Sequence, residues 1–126
     1  MGEYKSGYTI EEKDGSRVWY LKGQYHREDG PAVERANGDK VWYINSLLHR
    51  TDGPAIEFAS GTRMWYINNN PHREDGPAFE DADGLKSWWI KGVRLTEEEF
   101  IKKIKNKKFT VSEIETLKSY GIEVDI

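Results

Sequence analysis

Apolar and polar positions along this chain recur with a period of 23 residues. Trp19-Tyr20, Trp42-Tyr43, Trp65-Tyr66 and Trp88-Trp89 keep that interval, as do Gly15, Gly38, Gly61 and Gly84. Between them runs a third series: His26-Arg27-Glu28-Asp29-Gly30-Pro31-Ala32, His49-Arg50-Thr51-Asp52-Gly53-Pro54-Ala55 and His72-Arg73-Glu74-Asp75-Gly76-Pro77-Ala78. A period of this length marks a repeat array in which each unit buries its apolar surface against its neighbours.

Each unit reads as a β-hairpin. Pro31–Arg35 is a short extended piece, and Ala36-Asn37-Gly38-Asp39 follows it. Asn-Gly offers two residues that accept positive φ, which predicts a tight type I′ turn there. Lys40–Ile44, rich in β-branched and aromatic residues, is the return strand. A second turn falls at Asn45-Ser46, with Lys22-Gly23, Asn68-Asn69 and Lys91-Gly92 at equivalent positions. Counting back by one period aligns Gly7, Tyr8, Thr9, Ile10 and Glu11 with Gly30–Glu34, without a His-Arg motif, as expected of a terminal repeat. The expectation is four hairpins, at 4–23, 27–46, 50–69 and 73–92, in an array covering 1–94.

Alternation assigns faces to the return strands. Trp19/Leu21, Trp42/Ile44, Trp65/Ile67 and Trp88/Ile90 share one side, which predicts a packed stripe. Tyr20, Tyr43, Tyr66 and Trp89 lie on the other. The first strands contribute one row of Ile10, Val33, Ile56 and Phe79 and an opposite row of Glu11, Glu34, Glu57 and Glu80. Their match to the tryptophan and tyrosine sides depends on register, which stays open.

Periodicity ends after Gly92, and residues 95–126 read as a helical C-terminal cap. Leu95 stands where a fourth histidine would fall. Thr96-Glu97-Glu98-Glu99 has capping-box spacing, with Phe100, Ile101 and Ile104 at helical intervals behind it. Thr110-x-x-Glu113 starts a second helix with Ile114, Leu117 and Ile122 as its apolar face and Gly121 as its C-terminal stop. The predicted fold is mainly β with a C-terminal α appendage: an elongated single-layer antiparallel sheet of hairpin repeats, capped by two short helices that cover the open edge of the last hairpin or fold back along the sheet.

The recurring Asn-Gly-x-x-x-Trp-Tyr-x-Asn-Gly-x-x-His-Arg-x-Asp-Gly-Pro-Ala unit, anchored by Gly38, Trp42, Tyr43, Asn45, His49 and Asp52–Ala55, resembles a MORN-type repeat. It is particularly similar to the divergent His-Arg-x-Asp-Gly-Pro-Ala form of large tailed phages and giant viruses, and Gly92–Phe100 is similar to the close of such phage chains. The resemblance covers about residues 4–100. Ordinary MORN repeats have His-Gly-x-Gly at this place; here the junction gains charge and rigidity. The resemblance implies a binding sheet without enzymatic activity, and a viral accessory protein that binds a host protein in the host cell cytoplasm and blocks a defence function. The alternatives are a sponge that sequesters a nucleotide-like small molecule and a lipid-surface or assembly module.

Composition narrows the chemistry. With no cysteine there is no disulfide framework or thiolate chemistry. A net charge of −3 argues against a general nucleic-acid binder. No apolar run reaches the ~20 residues of a membrane span. Met1–Ser6 matches a short myristoylation pattern but lacks the apolar stretch of a signal peptide. No nucleophile–base set, phosphate loop or cofactor motif is present, so no catalytic or cofactor residue is assigned. Successive histidines, two strands apart, would sit ~10 Å from one another, too far to share a zinc ion.

Partner binding is expected on the Tyr20, Tyr43, Tyr66 and Trp89 row, because exposed aromatics in a line suit a protein interface. The tail or a second copy of the chain, as a homodimer, are the other candidates to cover that row. Arg27, Arg50 and Arg73 could meet an anionic ligand through their planar forks. The competing reading makes His26, Asp29, His49, Asp52, His72 and Asp75 structural, each aspartate pairing with its local arginine. Lys102, Lys103, Lys105, Lys107 and Lys108 read as a solvated helix face. Asp52→Ala is accordingly expected to cost more stability than Lys103→Ala, by about 1–3 kcal/mol if the aspartate is buried.

Overall fold

A computed structural model describes residues 6–124. Met1–Lys5, which include most of the myristoylation-like pattern and the expected start of the first unit at Tyr4, lie outside the described residues. So do Asp125 and Ile126.

The first unit pairs β1 (Tyr8–Lys13) with β2 (Ser16–Leu21), and β3 (Gln24–Tyr25) folds back on the end of β2. The second contains β4 (Val33–Glu34), β5 (Lys40–Val41), β6 (Tyr43–Ile44) and β7 (Leu47–Leu48). The third repeats it as β8 (Ile56–Glu57), β9 (Arg63–Met64), β10 (Tyr66–Ile67) and β11 (Asn70–Pro71). The fourth has β12 (Phe79–Glu80), β13 (Lys86–Ile90) and β14 (Val93–Leu95). The main sheet is open and antiparallel, in the order β1-β2-β4-β5-β8-β9-β12-β13-β14 with β3 on β2, while β6-β7 and β10-β11 form two short ladders. β14 carries the sheet to Leu95, the first residue assigned by sequence to the cap.

The second, third and fourth units each hold two kinds of turn, and the type I′ geometry expected at Asn37-Gly38 occurs in the other one. At the tip of β4–β5, Arg35 N–H donates to Asp39 O and Gly38 N–H to Arg35 O, at 2.9 and 3.0 Å. Only Gly38 has positive φ there (102°). This is a three-residue loop with a left-handed glycine in the bulge position. Paired positive φ values occur instead at Asn45 and Ser46 (49° and 61°) and at Asn68 and Asn69 (46° and 69°). These are the tight two-residue turns.

The first hairpin also has a two-residue turn, at Asp14 and Gly15 (52° and 82°). One residue fewer in the loop slips its register by one. Ile10 faces Trp19 across β1–β2, whereas Val33 faces Val18 on one side and Val41 on the other. Directly opposed residues share a face, so the expected row of Ile10, Val33, Ile56 and Phe79 breaks at its first member. Ile10 joins the tryptophan side. Val33, Ile56 and Phe79 run in one line with Val41 and Met64 on the tyrosine side.

The heptapeptides are loops thrust out of the strands. His26 N–H donates to Trp19 O at 3.1 Å, and Trp19 N–H donates to Ala32 O at 2.8 Å, so both ends of the loop close on one residue. Trp42 holds His49 and Ala55, and Trp65 holds His72 and Ala78, in the same way. Ala32 and Ala55 are fully buried at the loop's return to the sheet.

The helices are α1 (Glu97–Ile104) and α2 (Val111–Ser119), each opened by a reciprocal capping box, Thr96 with Glu99 and Thr110 with Glu113. After α2, Gly121 takes φ 78°, and Ile122 N–H returns to Leu117 O at 3.0 Å, ending the helix in a glycine stop. Phe100, Ile104, Leu117 and Ile122 form the core cluster, with Trp88, Ile90 and Leu95 of the last strands packed against it. Ile101, assigned to the same apolar face, is exposed.

Candidate functional site

The two faces of the sheet carry different chemistry. On the tryptophan side, each junction arginine lies over the indole of the preceding unit. The guanidinium carbons of Arg27, Arg50 and Arg73 stand 3.8 Å from the ring centres of Trp19, Trp42 and Trp65. A Cβ on Gly30, Gly53 or Gly76 would fall 2.9, 2.8 or 2.7 Å from that carbon. These glycines have no left-handed backbone; they are small so that the guanidinium fits between loop and ring. Arg50 Nε donates to Asp52 at 2.9 Å and Nη1 to Pro54 O and Glu57 at 3.0 Å. Arg27 and Arg73 repeat the aspartate and proline-carbonyl contacts, and Arg73 adds Glu80.

The histidines bolt consecutive units together. His26 Nδ1 accepts from Asn45 N–H at 3.0 Å, His49 Nδ1 from Asn68 N–H at 3.1 Å and His72 Nδ1 from Lys91 N–H at 2.9 Å. Each acceptor nitrogen must be unprotonated, which places the ring proton on Nε2. In His26 that Nε2 meets Glu28 at 3.1 Å. Burial is the main influence lowering the His72 pKa.

The expected site residues thus divide. Arg27, Arg50 and Arg73, with His26, His49, His72, Asp29, Asp52 and Asp75, sit in the junctions. Tyr20, Tyr43, Tyr66 and Trp89 are half-buried on the face away from the tryptophan stripe. Asp52 is also far more exposed than a buried-partner role implies, at 83% of its side chain against 30% for Asp75.

The tail packs on the tryptophan side. Phe100 meets Trp88 with ring centres 6.4 Å apart. Tyr120 lies beside Arg73, accepting from its Nη1 at 3.3 Å while its own hydroxyl donates to Glu80. Burial, aided by Glu80, pushes the Tyr120 phenol pKa up. This three-residue contact, joining positions 73, 80 and 120, has no sequence signal beyond an aromatic at the end of an apolar helix.

On the tyrosine side, one ring sits between Tyr20 and Tyr43. Tyr25 has its centre 5.3 Å from the first and 5.0 Å from the second. Partial burial raises the phenol pKa of both Tyr20 and Tyr43. At the other end of the row, Tyr66 and Trp89 flank an apolar cavity of about 290 Å³ floored by Met64 and Phe79, with Pro71 on its wall. Positions 25, 48 and 71 hold Tyr, Leu and Pro immediately before an invariant His-Arg. The positions just before them, 22–24, 45–47 and 68–70, vary as well, so the change in size carries no distinct mark in the sequence.

Among the described residues, no three His, Asp or Glu side chains gather into a set that would hold a metal ion. No helix among them is long and apolar enough to cross a membrane. No family model matches the chain, and no match is found among the curated proteins or the solved structures.

Proposed function

We propose that this chain is a non-enzymatic binding module whose Tyr20/Tyr43/Tyr66/Trp89 face engages a host protein. The supporting observation is the placement of the helices and arginine stacks: they lie on the tryptophan side, and the row opposite combines half-buried aromatics with an apolar cavity. Aromatics in such a setting carry much of the energy of protein interfaces. The resemblance to phage and giant-virus repeats supports a viral accessory protein acting in the host cytoplasm, with inhibition of a defence function as the outcome.

The nucleotide-sponge reading has weaker support. The cleft between the Arg50 and Arg73 junctions is also lined by Asp52, Glu74, Asp75 and Glu113, which repel phosphate, and both arginines already serve local acceptors.

Affinity capture from a bacterial host lysate tests the proposal. Tyr43→Ala combined with Tyr66→Ala is expected to keep the fold, by circular dichroism and melting temperature, and to lose the captured protein. Undiminished capture by that folded variant would reject the row as the interface.

A further inference from the structure

Strand geometry sets the spacing of the aromatic row. Neighbouring members are two strands apart, about 10 Å at the usual inter-strand distance. That gap admits one aromatic ring in contact with both neighbours, since paired ring centres prefer separations of about 4.5–7 Å. The first gap shows the arrangement complete: Tyr25 stands between Tyr20 and Tyr43, 5.3 and 5.0 Å from their ring centres. Tyr25 is the cross-strand partner of Tyr20. Leu48 takes the same place opposite Tyr43, and Pro71 opposite Tyr66. The filling side chain therefore shrinks from Tyr to Leu to Pro along the array. Where it is smallest, the cavity of about 290 Å³ between Tyr66 and Trp89 opens. The Trp89 indole is held in place by its Nε1–H donating to Ser87 Oγ at 2.8 Å, so this wall is set before a ligand arrives.

We infer that the Tyr66–Trp89 gap is a ring-binding slot, and that its occupant is an aromatic side chain of the partner protein, seated as Tyr25 is seated between Tyr20 and Tyr43. The chain's own first unit is the template for the ligand. The slot is apolar on its floor and its Pro71 wall, and its volume exceeds that of cavities of about 150 Å³ that accept benzene. This inference rests on the row being the partner surface, and it names the group that the surface takes.

The test uses p-cresol, the free equivalent of a tyrosine side chain, with cyclohexanol as a non-planar control of similar size. Titration of the full chain, followed by NMR, should shift the Trp89 indole N–H and the Tyr66 ring signals with p-cresol and leave them in place with cyclohexanol. Pro71→Tyr, which copies the first unit, should fill the slot, hold the melting temperature at or above that of the parent, and abolish the shifts. Tyr25→Ala, which keeps the N–H that donates to Ser46, should open a second slot and add shifts at Tyr20 and Tyr43. The inference is overturned if p-cresol moves neither Trp89 nor Tyr66, if Pro71→Tyr responds like the parent, or if cyclohexanol acts as well as p-cresol. Failure here is separable from failure of the row. Host-protein capture that is lost in the Tyr43/Tyr66 double variant but intact in Pro71→Tyr keeps the row and discards the slot.

Discussion

Trp65 and Trp88 hold equivalent positions in successive units, yet different chemistry covers them. Over Trp65 lies one guanidinium, Arg73, neutralised by Asp75 and Glu80. Trp88 has no junction arginine; Phe100 and the rest of the helical cluster pack on it instead. The contrast shows two ways to close a thin sheet. Inside the array, a flat cation with its own counter-charges shields a large ring without a second layer, and the arrangement can be copied without limit. At the end, where copying stops, an amphipathic helix pair turns its buried face to the last strands and supplies the missing layer.

The sharpest way to break the contrast is at the helical end. Phe100 is fully buried, so Phe100→Ala should cost ~3–5 kcal/mol, read as a drop in the chemical-denaturation midpoint. A change of less than 1 kcal/mol would mean that the cluster contributes little to the array.

Next comes the junction. Gly53→Ala places a Cβ 2.8 Å from the Arg50 guanidinium carbon. That group cannot step aside without leaving Trp42, Asp52 and the Pro54 carbonyl, so a cost of about 1–3 kcal/mol follows. A variant as stable as the parent would show that the stack is dispensable.

A smaller effect separates junctions from one another. Asp75 is less exposed than Asp52 and its arginine is buried. Asp52→Ala should cost no more than the ~0.2–1 kcal/mol of a surface ion pair, below the value its sequence position suggests, and Asp75→Ala should cost more. Equal denaturation midpoints for the two variants would remove the distinction.

The smallest effect is pH-dependent. The His72 pKa lies below its ordinary value of 6.5, chiefly through burial, with Glu74 opposing and Lys107 and Lys91 reinforcing the shift. On acidification the unfolded chain takes up this proton before the folded one does. The contribution to stability is therefore complete above pH 6.5 and is lost as pH falls toward the depressed folded value. His72→Asn should flatten the fall in melting temperature between pH 7.5 and 5.5; an unchanged slope would assign that fall to other groups.

What could be read from residues alone follows the range of the interactions involved. Both capping boxes and the Gly121 stop are contacts within a few residues, and their spacing is visible in the chain. Asn37-Gly38 suits two loops of different length, and the one residue of difference is settled by strand pairing, which the local sequence does not carry. The same residue moved Ile10 to the other face, which alignment by period cannot detect. The arginines were visible as partners of nearby aspartates. Their place on Trp19, Trp42 and Trp65 was not, since it depends on a loop closing upon the indole's own backbone.

That closure has a mechanical consequence. Each heptapeptide leaves and re-enters the sheet at a single residue, its imidazole bonds to the next turn, and the third also meets the tail through Arg73–Tyr120 and Glu74–Lys107. Under tension applied across the array, load passes from unit to unit through two-residue ladders, turn side chains such as Asp39 and Asn69, and one imidazole. The array should therefore yield by peeling, one unit per step, each releasing on the order of 80 Å of chain at the extended length of ~3.5 Å per residue.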